Sequence, residues 1–246
     1  MTRNLLIRGM IAGLLAGLLA FGFARVFGEP QVDSAIAFEE KMSQAAGEAA
    51  EPEIVSRDTQ AGIGLFTGVV VYSAALGGLF SLVFAFVHGR ISSLSPRATA
   101  GLLALAGFVA IVLVPAIKYP MNPPAVGNPD TIGARTELFF VMLVVSLGAL
   151  AAAVGLAKRL RVQHGTWNAA LIAGAAYVVF IALVQYLLPA INEVPEQFSP
   201  TVLWNFRVAS LGIHLIIWTT LGLLFGGLAE RVLAENRPRY RLQTAR

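Results

Sequence analysis

The sequence predicts an all-α integral membrane protein, a bundle of six transmembrane helices, and three observations carry that reading. Apolar runs cover about 5–27, 62–87, 98–117, 136–157, 167–188 and 205–229, each near or above the ~20 residues a helix needs to cross a bilayer core. The 246 residues are 57% hydrophobic and 13% charged, which does not describe an ordinary soluble domain. The gaps between the runs alternate in charge, with Lys and Arg gathered in one set and Asp and Glu in the other.

The basic set orients the chain. Arg3 and Arg8 precede the first span, Arg90 and Arg97 separate the second from the third, Lys158, Arg159 and Arg161 separate the fourth from the fifth, and Arg231, Arg237, Arg239, Arg241 and Arg246 follow the sixth. Positive residues stay on the cytoplasmic side, so both termini are expected there, in a multi-pass protein of the plasma (inner) membrane. The opposite gaps hold Glu29, Asp33, Glu39, Glu40, Glu48, Glu51, Glu53 and Asp58, then Asp130 and Glu137, then Glu193 and Glu196. The outer face is acidic. A single polytopic domain over 1–246 is expected, with 28–61 as an acidic extracytoplasmic segment.

Within the first span Gly9, Gly13 and Gly17 recur every four residues, and Ser73, Gly77 and Ser81 do the same in the second. Such ridges of small residues let helix backbones approach closely in lipid. Gly222 and Gly226 repeat the spacing in the sixth span. After the first span, Pro30 suits the first turn of a short amphipathic helix through about Ala46, with Val32, Ile36 and Met42 on its apolar side. From Gly47 to Thr59 the chain reads as a polar loop.

The other two outer segments begin alike, as Val114-Pro115-Ala116-Ile117-Lys118 and Leu188-Pro189-Ala190-Ile191-Asn192. The match suggests repeated helical hairpins, spans 3–4 and 5–6, with spans 1–2 as a diverged third copy. Each proline removes an amide donor and prevents a clean helical continuation; one reading leaves carbonyls open toward an outer vestibule, and the other has each proline simply end a helix at the interface.

Candidate metal-binding positions follow from this layout. His214 is the one histidine inside a span, on a face with Ser210 and Arg207, and an intramembrane ionisable group usually faces the bundle interior or water. The other reading is a packed neutral imidazole. On the outer side Glu29, Asp33, Glu39 and Glu40 concentrate negative charge along one short helix, and Asn122, Asn192 and Glu193 add oxygen donors at the two proline-interrupted mouths. A solvated acidic loop is the alternative there.

Several classes are excluded or disfavoured. The chain has no cysteine, so disulfides and thiolate metal sites are absent. Its arginines form no stripe with interleaved aromatics, so nucleic acid is not an expected partner. No His-Glu-x-x-His, phosphate loop, Gly-x-Ser-x-Gly or intramembrane carboxylate pair occurs, and the chain is expected not to be an enzyme.

Four stretches carry a family resemblance: Phe23-Ala24-Arg25-Val26-Phe27-Gly28-Glu29-Pro30, Ala35-Ile36-Ala37-Phe38-Glu39-Glu40, Lys118-Tyr119-Pro120-Met121-Asn122-Pro123-Pro124-Ala125-Val126-Gly127 and Leu188-Pro189-Ala190-Ile191-Asn192-Glu193-Val194-Pro195. Over nearly its whole length the chain resembles the CbtA family of predicted cobalt transporter subunits. That resemblance implies Co²⁺ as the transported ion, with no permanently bound cofactor, and a link to cobalamin biosynthesis. It also implies a small single-span partner, CbtB, bearing a His-rich metal site. An accessory subunit without its own pathway, or a membrane-embedded enzyme, are the competing readings.

Overall fold

A computed structural model describes residues 1–47, 54–124, 126–128 and 130–235. The described residues are mostly helical and contain no strand, and five continuous helical stretches are long and apolar enough to cross a membrane: Thr2–Ala46, Arg57–Val87, Pro96–Lys118, Ile132–Leu187 and Pro200–Ala234. They form two compact units. The first comprises Met1–Arg25, 54–105 and 213–235; the second comprises 26–47 and the described part of 106–212.

In the first unit, α1 (Thr2–Phe23) lies antiparallel to α4 (Leu65–Val87) along the two ridges of small residues. The approach is so close that a Cβ on Gly13 would press on the Ser73 carbonyl oxygen, and one on Gly77 on the Gly9 carbonyl oxygen. A Cβ on Gly17 would sit 2.8 Å from the Val70 Cα. Lipid tails are as apolar as leucine, so burial of leucine gains little between membrane helices; close van der Waals contact does the work instead. The residue distribution of α1 agrees: Gly9, Ala12, Gly13, Ala16, Gly17 and Ala20 are buried while Ile11, Leu14, Leu15, Leu18 and Leu19 point outward.

The same device joins α5 (Pro96–Gly107) to the last helical stretch, where a Cβ on Gly222 would lie 2.8 Å from that of Ala104 and one on Gly226 3.2 Å from that of Ala100. Phe80 and Phe84 meet Phe225 edge to face at 5.5 and 5.1 Å. At one end of this unit Arg97 pairs with Glu230 at 2.6 Å, and Arg8 donates to the Leu228 carbonyl.

The second unit contains a correction to the expected connector over 158–166. Residues Ile132–Leu187 form one 56-residue helical stretch, α7, and only Gly165 departs from helical backbone, at φ 74° and ψ 168°. That left-handed region is open to glycine at little cost. The reversal there folds the stretch into two antiparallel arms, because the Ser146 and Tyr177 hydroxyls, 31 positions apart, lie 2.8 Å from one another. Lys158, Arg159 and Arg161 remain helical. Met142 and Ile181 close the space between the arms, with Val114 and Tyr119 in the same core.

Other boundaries also differ from expectation. The helix that holds the first apolar run does not stop at residue 27; a π-helical turn, Ala24–Gly28, leads straight into α2 (Glu29–Ala46), which ends at Gly47 in the left-handed conformation. Pro30 does occupy the first turn of α2. Its packed side is Ala35 and Phe38, against Val126 and Phe198, and Met42 is exposed. The expected loop contains a short helix, α3 (Arg57–Thr59), capped by Ser56, whose hydroxyl accepts from the Thr59 amide; 48–53 lie outside the described residues. Pro115 does not end its helix. It occupies the first turn of α6 (Val114–Lys118), after a π-helical segment, Phe108–Leu113. A first-turn position needs no amide donor.

Gly13→Leu should cost about 2–3 kcal/mol by overpacking, whereas Gly22→Leu, with open space around its α-carbon, should be near neutral. Thermal unfolding of both variants in detergent checks the contrast, and equal midpoints would refute the close packing of α1 on α4.

Candidate functional site

Prolines at 115, 120, 123, 124, 189 and 195 deprive the segments around them of amide donors, so neither segment can satisfy its carbonyls by helix formation alone. Side chains from other elements do so instead. The Gln185 amide donates to the Val114 carbonyl at 2.9 Å, and the Tyr119 hydroxyl donates to the Pro189 carbonyl at 2.9 Å. The two proline motifs are thus tied reciprocally, each giving a carbonyl and receiving a donor from beside the other. Val114 and Pro189 do not leave their carbonyls open to a vestibule, as one of the two readings from sequence would have it.

Downstream of Tyr119 two arginines hold the next three residues. Arg135, in the first turn of α7, donates to the Pro120 carbonyl. Arg207, in α8 (Pro200–Thr220), donates through Nε to the Met121 carbonyl at 3.1 Å and through its terminal nitrogen to Asn122 Oδ1 at 2.9 Å. Arg135 also pairs with Glu193 at 3.4 Å, the carboxylate side chain being 1% exposed and the guanidinium 18%. The Thr131 hydroxyl donates to the other Glu193 oxygen at 2.9 Å. A buried carboxylate requires both a counter-charge and hydrogen bonds, and Glu193 has both. With one carboxylate against two guanidiniums, the cluster is net positive.

Of the sequence candidates, Asn122 and Glu193 are therefore each held by an arginine, Arg207 and Arg135, that also holds a carbonyl of the 120–121 stretch. Asn192, although adjacent to Glu193, is exposed, and its side chain accepts from the Val194 amide at 3.3 Å. Glu29 is buried at the start of α2, while Asp33, Glu39 and Glu40 are exposed along that helix. The remaining outer acids Glu48, Glu51 and Glu53 lie outside the described residues. No group of three or more His, Asp or Glu side chains able to hold a metal ion occurs among the described residues.

His214 belongs to the first unit. Its Nδ1 is buried without a hydrogen-bond partner, and Tyr72 stands edge-on to its ring at 6.4 Å. Trp218 Nε1, one turn on, and Ser73 Oγ are buried and unpartnered as well. His88 stacks on Phe84 and approaches the Thr99 hydroxyl at 3.4 Å. His164 is exposed beside Gly165.

Sequence reasoning passes over Arg135, Thr131 and Tyr119. A weak signal was present for Arg135: with Arg25, Lys41, Arg57, Lys118 and Arg207 it is one of six basic residues outside the inner gaps and termini, and a basic residue so placed calls for a specific partner.

Tyr119 is 2% exposed, and burial pushes its phenol up from the ordinary value near 10. A raised value means the neutral, donating form is favoured on folding; the contribution is complete below pH ~10 and is lost as pH rises through the folded value. Tyr119→Phe should lower stability by about 1 kcal/mol at neutral pH and flatten the alkaline part of the stability profile. Unfolding midpoints from pH 7 to 11 check it, and an unchanged alkaline slope would remove Tyr119 as its source.

No curated protein and no solved structure matches the chain. A family model does, over residues 2–230, and its description is "probable cobalt transporter subunit (CbtA)". A match over nearly the full length, on an all-helical chain with long apolar helices, makes this protein a member of the CbtA family.

Proposed function

We propose that the chain is the membrane subunit of a cobalt-uptake system, with Co²⁺ as cargo and no enzymatic activity of its own. The family match over residues 2–230 carries the reading. In it the two arms of α7 each cross the bilayer, which makes six spans; a 56-residue helix would otherwise extend roughly 84 Å, far beyond a ~30 Å hydrocarbon core. Both termini are cytoplasmic, and α2 with the proline-rich segments faces outward. A small single-span subunit of the CbtB type supplies the histidine-rich metal site that this chain lacks among its described residues.

Asp33, Glu39 and Glu40 on exposed parts of α2, with Glu29 at its start, raise the local concentration of cations at the entrance. Asn122, Asn192 and Glu193 supply oxygen donors nearby in sequence to the proline motifs. His214 is the inner relay, since an unpartnered imidazole nitrogen in an apolar bundle gains most from a ligand, and Co²⁺ accepts imidazole. Weak, successive sites suit permeation better than one tight cage.

The absence of a three-ligand cluster among the described residues also favours a second reading, an accessory subunit that assembles the system without a pathway. Uptake by this chain alone and together with its partner separates the two.

Reporter fusions at Gly47 and after Arg246 should report opposite sides of the membrane; a same-side result would overturn the six-span arrangement. Radioactive Co²⁺ uptake in cells lacking other cobalt and nickel importers should depend on the chain, and His214→Gln at equal membrane abundance should lose about 90% of it. Full transport by that variant would make His214 a packing residue, and no chain-dependent uptake in any combination would sink the transport reading.

A further inference from the structure

Four oxygen atoms accept from the two guanidiniums of the second unit: the Pro120 carbonyl and one Glu193 carboxylate oxygen from Arg135, and the Met121 carbonyl and the Asn122 side-chain oxygen from Arg207; the other Glu193 oxygen, the fifth of the set, accepts from Thr131. All are carboxylate or carbonyl type. That is the donor chemistry a hydrated divalent cation takes, and a borderline ion such as Co²⁺ accepts it with water filling the remaining positions. Three of the donors come from consecutive residues, 120 to 122, flanked by Pro120 itself and Pro123, whose fixed φ stiffens the cradle.

We infer that this oxygen cluster is a divalent-cation site latched by arginine, in which the Arg135 and Arg207 guanidiniums occupy the place of the ion. Each N–H on a carbonyl or carboxylate oxygen takes a lone pair that a metal would otherwise use. With both arginines in place the cluster is net positive and repels a divalent ion; with both withdrawn it is net negative and attracts one. Arginine and metal therefore exclude each other. The exchange needs only the swing of long side chains, whereas the proline-held backbone stays as it is. Thr131 keeps a donor on Glu193 throughout and orients the carboxylate.

The choice of Co²⁺ as the ion rests on the cobalt-uptake reading, but the site is tested by equilibrium binding, which requires no transport. The full chain is purified in detergent and dialysed against radioactive Co²⁺ alone. Arg135→Gln combined with Arg207→Gln should bind one Co²⁺ at least about tenfold more tightly than the native chain, because two opposing unit charges leave the donor shell. Adding Glu193→Gln should abolish the gain. Low-millimolar guanidinium chloride, far below denaturing concentrations, should compete with Co²⁺ in the double variant by returning the displaced group. Where the double variant does not yield monodisperse protein, Arg207→Gln alone, which keeps the Arg135–Glu193 pair, should show a gain of roughly threefold on the same argument. No gain in the variant that folds, or a gain that survives Glu193→Gln, overturns the proposal. A chain that binds Co²⁺ in this manner yet moves none in cells overturns the uptake reading and leaves the site standing.

Discussion

Carbonyl groups without amide partners are the constraint on which the second unit depends. Its proline-rich segments pair only part of their own backbone, as where the Tyr119 amide donates to the Pro115 carbonyl, and an unsatisfied carbonyl away from water costs a sizeable part of a protein's net stability. Gln185, Tyr119, Arg135 and Arg207 each answer one of these carbonyls. The same contacts draw in side chains as well: Glu193 meets Arg135 and Thr131, and Asn122 meets Arg207. The charge cluster is thus a consequence of how irregular backbone is kept satisfied.

The first unit solves a different problem by a different route. Its helices carry π-helical turns at Gln60–Gly64 and Leu221–Phe225 but no interior proline, and what must be arranged is contact between helices that have no hydrophobic reason to meet. Glycine, alanine and serine provide it by removing bulk from the meeting faces. Serine adds a polar group at no cost in size: the Ser81 hydroxyl returns its hydrogen bond to the Gly78 carbonyl of its own helix at 2.7 Å. The unpartnered Ser73, His214 and Trp218 atoms stand out against this background, because in an otherwise apolar bundle they are the groups with something left to gain.

Much of this was legible in the sequence wherever the signal is local. Helix length and charge alternation depend on adjacent residues, and the four-residue spacing of Gly9, Gly13 and Gly17 predicts the ridge that the structure contains. The arginine cluster was not legible, since its members lie 15 to 86 positions apart and their meeting is a product of folding. Pro115 misleads for a subtler reason: proline breaks a helix interior but fits a first turn, and the preceding π-helical segment turns the one into the other. Lys158, Arg159 and Arg161 mislead too, because charge marks the water but does not by itself unwind a helix.

A reversal made at Gly165 alone leaves no slack between the arms of α7. Sliding one arm along the other by a single residue would break the contact between Ser146 and Tyr177 and lift each apolar side chain out of its slot. The hairpin can therefore tilt or rotate only as a piece. Any movement that changes access to Tyr119 and Val114, which pack in the same core, must carry both arms along with it, so the hairpin acts as a lever and not as a pair of independent pistons.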